Sequence, residues 1–161
     1  MEQTHISRLK KFKASVFLAF LFLIPVTGLF WGTWFSLSRT METFSAGEFI
    51  HIGKTIIANV AVPMAVIMPL CLVFLLLAII FHPQKRSWRF YALVTTFALI
   101  TFALVVTLVV EVLIDNRIKE WTAETAPPDW QSIRERWEFF HSLRTSASLG
   151  GTLLLIAALI F

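Results

Sequence analysis

The sequence predicts an all-α integral membrane protein folded as a four-helix bundle. Three observations carry that prediction. Of 161 residues, 57% are hydrophobic and only 15% are charged, whereas a soluble domain carries about a quarter charged residues. The mean hydropathy is +0.76. Four uncharged runs come close to or exceed the ~20 residues with which a helix crosses the hydrocarbon core. A soluble bundle would need a polar face along each helix, yet residues 70–81 and 153–161 are apolar all round. The single cysteine, Cys71, excludes an internal disulfide and a paired-cysteine metal site, and reads as a small packing residue.

The elements follow in chain order. Residues 14–38 form an uncharged run of 25, too long for the apolar part of a signal peptide and without a small-residue cleavage site behind it, so it reads as a retained span. It carries Gly28 and Gly32 in GxxxG spacing, which predicts a close helix contact. Residues 55–81 form the second span, with Pro63 and Pro69 inside it as predicted kinks. The third covers residues 90–114, and its helical pattern continues through Glu111, Asp115, Asn116, Arg117 and Lys119 to about Trp121. Pro127-Pro128 then breaks the chain, and Asp129 is placed to cap a helix starting at Trp130. From there to Phe161 is roughly 48 Å of helix at the helical rise. An amphipathic segment, 130–144, therefore runs without interruption into the fourth span, 145–161, and the whole chain reads as one membrane domain, 1–161.

Charge sets the expected orientation. Arg8, Lys10, Lys11 and Lys13 precede the first span, and Lys85, Arg86 and Arg89 separate the second from the third. The acids gather in the other two connections. The positive-inside rule then puts both termini in the cytoplasm and the connections 39–54 and 117–144 outside. The basic fringe reads as topogenic charge facing anionic lipid, not as a nucleic-acid surface. The six tryptophans read as interfacial anchors.

Polar residues gather at the outer helix ends. Glu111 and Asp115 are four apart and share a face. Trp130, Arg134, Trp137, His141 and Arg144 recur at spacings of three and four, with Phe140 beside them. His51, Thr55 and Asn59 form a similar stripe at the head of the second span. An ionisable group at membrane depth is by default a functional candidate. The alternative is a structural staple, with Glu111 or Asp115 paired to Arg144. No HxxxH, HExxH, Walker or GxSxG pattern is present, and no metal site is expected.

The order of these signals resembles the anthrone oxygenase-like family of small four-helix membrane proteins, most of whose bacterial members have no assigned function. The likeness rests on the glycine-containing first span, the polar-headed second span from Ile52 to Asn59, and Asn116 just past the third. The segment from Arg136 and Trp137 through His141 to Arg144 and Thr145 is its most specific part. In layout it covers nearly the whole chain. Many members carry Pro before the Asn, where this chain has Leu113, Ile114 and Asp115.

The resemblance implies a bacterial inner (plasma) membrane location and an oxygenase that uses O2 as co-substrate without cofactor or metal. Its substrate would be a hydrophobic aromatic such as an anthrone or phenol. It implies His141 or His51 as base, Arg144, Asn116 and Asn59 as groups holding an oxyanion, and Trp137, Phe140 and Trp130 as substrate walls. Asp115 and Glu111 fall among the substrate-side polar groups. Two functional readings follow. An enzyme requires a closed pocket between the outer halves of spans two, three and four, lined by His141, Trp137 and Asn116. A non-enzymatic subunit or lipid or quinone binder requires Glu111, Asp115, Arg134 and Arg144 to be consumed in salt bridges with no cavity left. A small exporter lacks support, because no inverted repeat and no deep acid is present. A homo-oligomer through the GxxxG face is compatible with either.

Overall fold

The computed structural model describes residues 2–161, which are all-helical with no strand among them. α1 covers Glu2–Thr33 and ends in a π turn, Trp34–Ser38; a short 3-10 turn, Met41–Thr43, leads to α2, Ala46–Phe81. α3, Trp88–Val106, passes through a second π turn, Thr107–Glu111, into α4, Val112–Glu120, and α5 covers Trp130–Ile160. Four rods result, each long and apolar enough to cross a membrane: Ile6–Ser38, Ala46–Phe81, Trp88–Glu120 and Trp130–Ile160. One end of the bundle holds the connections 39–45 and 121–129 and is called the loop end here. The other holds the 82–87 connection and is the basic end.

Local chemistry explains where the rods start. α2 begins at Ala46, well before the apolar run, because Ser45 and Glu48 form a capping box: Ser45 Oγ accepts from Glu48 N at 3.4 Å, and the Glu48 carboxylate accepts from Ser45 N at 2.8 Å. α3 starts where Ser87 Oγ accepts from Phe90 N at 3.2 Å. Asp129 occupies the N-cap position of α5, but its carboxylate accepts no capping bond; its backbone carbonyl takes Ile133 N instead. α2 runs unbroken through Pro63 and Pro69.

α1 packs along α2, and α3 along α5. The close approach expected of Gly28 and Gly32 is not made there: both glycines are exposed, and a Cβ on either would meet nothing. The tight contact lies on α5. Gly151 sits against Leu99 and Ile100, and Thr96 Oγ1 donates to its carbonyl at 3.0 Å. Thr27 and Thr152 share a buried hydroxyl bond of 2.8 Å between α1 and α5. Small residues and buried hydroxyls thus replace the hydrophobic drive that lipid removes. Cys71 is fully buried between α1 and α2, among Ala19, Leu23 and Leu75. Of the tryptophans, Trp31 and Trp88 are exposed as anchors should be, whereas Trp121 and Trp137 belong to the core of the loop end, where rods of unequal length enclose them.

Candidate active site

The loop end encloses a cavity of about 180 Å³ between all four rods. Its walls are mostly apolar, with Met64 and Met68 of α2 towards mid-bundle, Phe30 of α1, and Leu104 and Leu108 of the third rod. Polar groups cluster on the third rod and α5, as Thr107, Asp115, His141 and Arg144, and Thr33 of α1 is the remaining polar lining residue.

The π turn is the local device that builds this side. A π turn accommodates one extra residue within the helical path and shifts the facing of everything beyond it. Here it turns Glu111 into the bundle, where the residue is 1% exposed. Arg144, one turn along α5 from His141, reaches across to it, with Nη2 3.2 Å from Glu111 Oε2. The same guanidinium donates through Nη1 to Thr107 Oγ1 at 3.1 Å and through Nε to His141 Nδ1 at 3.2 Å. Its Nη2 also lies 2.8 Å from that Nδ1, and its carbon stands 4.5 Å from the centre of the Phe30 ring. Three rods therefore fix one cation. Stripped of Arg144, Glu111 would be an unpaired buried charge, a severe penalty in a medium without water.

These contacts determine what His141 can do. A guanidinium has donors and no acceptor. Nδ1 of His141 must therefore accept, which places the ring proton on Nε2. That atom is buried and forms no hydrogen bond of good geometry among the described residues, although the Phe30 backbone carbonyl stands near the ring. The ring stacks on Trp137, with centroids 4.8 Å apart and planes 3° from parallel, and meets Phe30 edge-on at 6.3 Å. His141 is thus held as a neutral donor aimed away from Arg144. Thr145 fixes its turn of α5 by donating to the His141 carbonyl at 2.7 Å.

Asp115 lies one turn beyond Glu111, on the cavity wall beside Trp137 and Arg144, and forms no ion pair among the described residues. Arg134 is buried but serves the fold: its Nη1 donates to the Met41 carbonyl at 2.9 Å, tying the 3-10 turn to α5, and its guanidinium covers Trp130.

The structure brings together His141, Arg144, Trp137, Glu111 and Asp115, and it leaves the other expected residues outside. Asn116 is exposed and accepts from Lys119 Nζ at 3.0 Å. His51 and Asn59 are exposed on the outward face of α2. Trp130 packs on Phe49, and Phe140 borders the loop-end core without lining the cavity. The first rod supplies a wall that the expected three-span pocket omitted. Phe30, between the two glycines, and Thr107, one turn before Glu111, were the missed residues; the i, i+4 spacing of Thr107 and Glu111 was the available signal. Among the described residues no three His, Cys, Asp or Glu side chains converge as metal ligands do.

The sequence pattern of the family described as Anthrone oxygenase matches residues 54–154, more than half of the chain. The chain belongs to the anthrone oxygenase family. It is a membrane protein of that family, and the match spans every cavity-lining residue of the third rod and of α5. No curated protein and no solved structure matches it.

Proposed function

We propose that this anthrone oxygenase family member oxidises an anthrone-like hydrophobic aromatic with O2, without a bound cofactor, in the cavity at the loop end. The observation that carries the reading is the pairing of a mostly apolar cavity with the Thr107, Asp115, His141 and Arg144 cluster, in which a buried imidazole N–H forms no hydrogen bond among the described residues. An unpaired buried donor costs roughly 1–3 kcal/mol, and a substrate oxygen at that position would relieve it.

The chemistry suits these groups. An anthrone methylene is acidified by its flanking rings and its carbonyl. Asp115 takes one methylene proton, and the charge moves onto the carbonyl oxygen. His141 Nε2–H donates to that oxyanion, and the Arg144 charge behind the imidazole strengthens the donor. The electron-rich anion passes one electron to O2, the two radicals combine, and a proton completes a C–OOH group. Loss of the second C–H proton with cleavage of the O–O bond leaves the quinone carbonyl, and hydroxide leaves as water. One O2 enters, and one quinone and one water result. O2 is apolar and reaches the cavity through the bilayer.

The roles differ from the sequence expectation in one respect. His141 acts as a donor and not as the base, because Arg144 occupies its only lone pair. Asp115 is the carboxylate on the wall, and Glu111 holds Arg144 in place. The non-enzymatic reading draws support from the Glu111–Arg144 pair, but it required that no cavity remain. The test is O2 uptake by purified protein given an anthrone. Wild type should consume O2 and anthrone one to one. Asp115→Asn should lose about 10²–10⁴-fold in rate, the usual contribution of a positioned base, with thermal stability retained. No uptake by wild type over a panel of anthrones and phenols would sink the reading.

A further inference from the structure

A second cavity, about 330 Å³, lies at the basic end among α1, the 82–87 connection, α3 and α5. Its walls divide sharply by chemistry. Phe12, Val16, Leu93 and Leu155 form an apolar lining, which Leu159, 46% exposed, carries out to the lipid-facing surface. Lys13, Arg89, His82 and Gln84 form the polar part, and no acid lines the cavity.

The neighbouring cations are already engaged. Arg8 donates to the carbonyls of Ile80 and His82 at the end of α2. Lys85 donates to those of Ile79 and Ile80 and stands over the Phe90 ring. Lys13 and Arg89 are exposed, and neither has a hydrogen bond or ion pair among the described residues. His82 is held edge-on by Phe12 and Phe90, and its Nδ1 accepts from Gln84 N at 3.1 Å. Burial first, and then the charges of Lys85, Arg8 and Arg89, hold its pKa below the usual histidine value. The ring is therefore neutral near pH 7, with its proton on Nε2, and adds a donor to the two cations.

We propose that this cavity is a binding site for an anionic phospholipid, its phosphate held by Lys13, Arg89 and His82 and an acyl chain lying along Val16, Leu93 and Leu159. Basic pockets between membrane helices attract anionic headgroups. The apolar groove leading to the bilayer selects a lipid over a free anion. The proposal is independent of the reaction assigned to the loop end.

The test is native mass spectrometry of delipidated protein in a neutral detergent, titrated with phosphatidylglycerol, with phosphatidylcholine and with inorganic phosphate. Phosphatidylglycerol should bind more tightly than phosphatidylcholine, and millimolar phosphate should not displace it. Lys13→Gln with Arg89→Gln should weaken phosphatidylglycerol binding by about tenfold or more, since each cation near a headgroup contributes about 1 kcal/mol. Lys10→Gln with Arg86→Gln removes the same charge outside the cavity and should change nothing. All four side chains are exposed, so neither pair is needed for folding. Equal binding of the two lipids, equal losses in both double variants, or full displacement by phosphate would each overturn the proposal.

Discussion

Arg144 and Arg89 occupy opposite ends of one bundle and live in different media. Arg144 is inside, its side chain 11% exposed, with a carboxylate, an imidazole and a hydroxyl around its guanidinium. Arg89 is exposed at the rim of a cavity it shares with His82, with no hydrogen bond or ion pair among the described residues. The loop end can hold charge internally because its helices run on past the apolar runs and the π turn aims Glu111 at Arg144. The basic end keeps its cations on the rim, where several satisfy the carbonyls that close α2. The same residue type is thus the centre of a buried polar network in one place and a surface group in the other. What differs is whether an opposing charge is built alongside.

Removing the two arginines one at a time should expose that difference most strongly. Arg144→Met leaves Glu111 buried without its cation and should cost about 3–5 kcal/mol. Arg89→Met should stay within about 0.5 kcal/mol in neutral detergent. Thermal unfolding of both variants checks this, and similar losses would break the comparison. Replacing both partners, Glu111→Leu with Arg144→Leu, should be far milder than Arg144→Met alone, because a buried pair exchanged for apolar groups is often close to neutral. The double variant should nevertheless show no O2 uptake. Retained uptake would make the pair a staple with no part in the chemistry.

The smallest effects concern the glycines. Gly151→Leu forces a side chain against Leu99 and Ile100 and should cost about 1–3 kcal/mol by overpacking. Gly28→Leu and Gly32→Leu face open surface and should stay within about 0.5 kcal/mol. A large loss at Gly28 or Gly32 would instead reveal a second copy of the chain packed on that face.

The spans were readable because transfer into lipid is decided residue by residue, and an uncharged run reports it directly. The α5 stripe was readable too: Arg134, Trp137 and His141 share a buried face at the helical period. Periodicity tells which residues share a face, however, and not which way the face turns. His51, Thr55 and Asn59 are one stripe, as their spacing implies, but it points away from the bundle. The glycine pair failed for the same reason. The π turn at Thr107–Glu111 has no sequence mark that an α-helical reading would catch, and it resets the facing of everything beyond it, so that Asp115 lands on the cavity wall and Asn116 on the surface. The tautomer of His141 depends on a contact with Arg144, and only the folded α5 supplies it.

On the proposed reaction, the loop-end cavity puts an oxygen atom from O2 onto a bound aromatic methylene. Incubation of the purified protein with an anthrone under ¹⁸O2, followed by mass spectrometry of the quinone, tests it most directly. Wild type should give quinone with one heavy oxygen, and Asp115→Asn should form none above background. Product carrying oxygen from solvent water, or equal labelling by the variant, would contradict it.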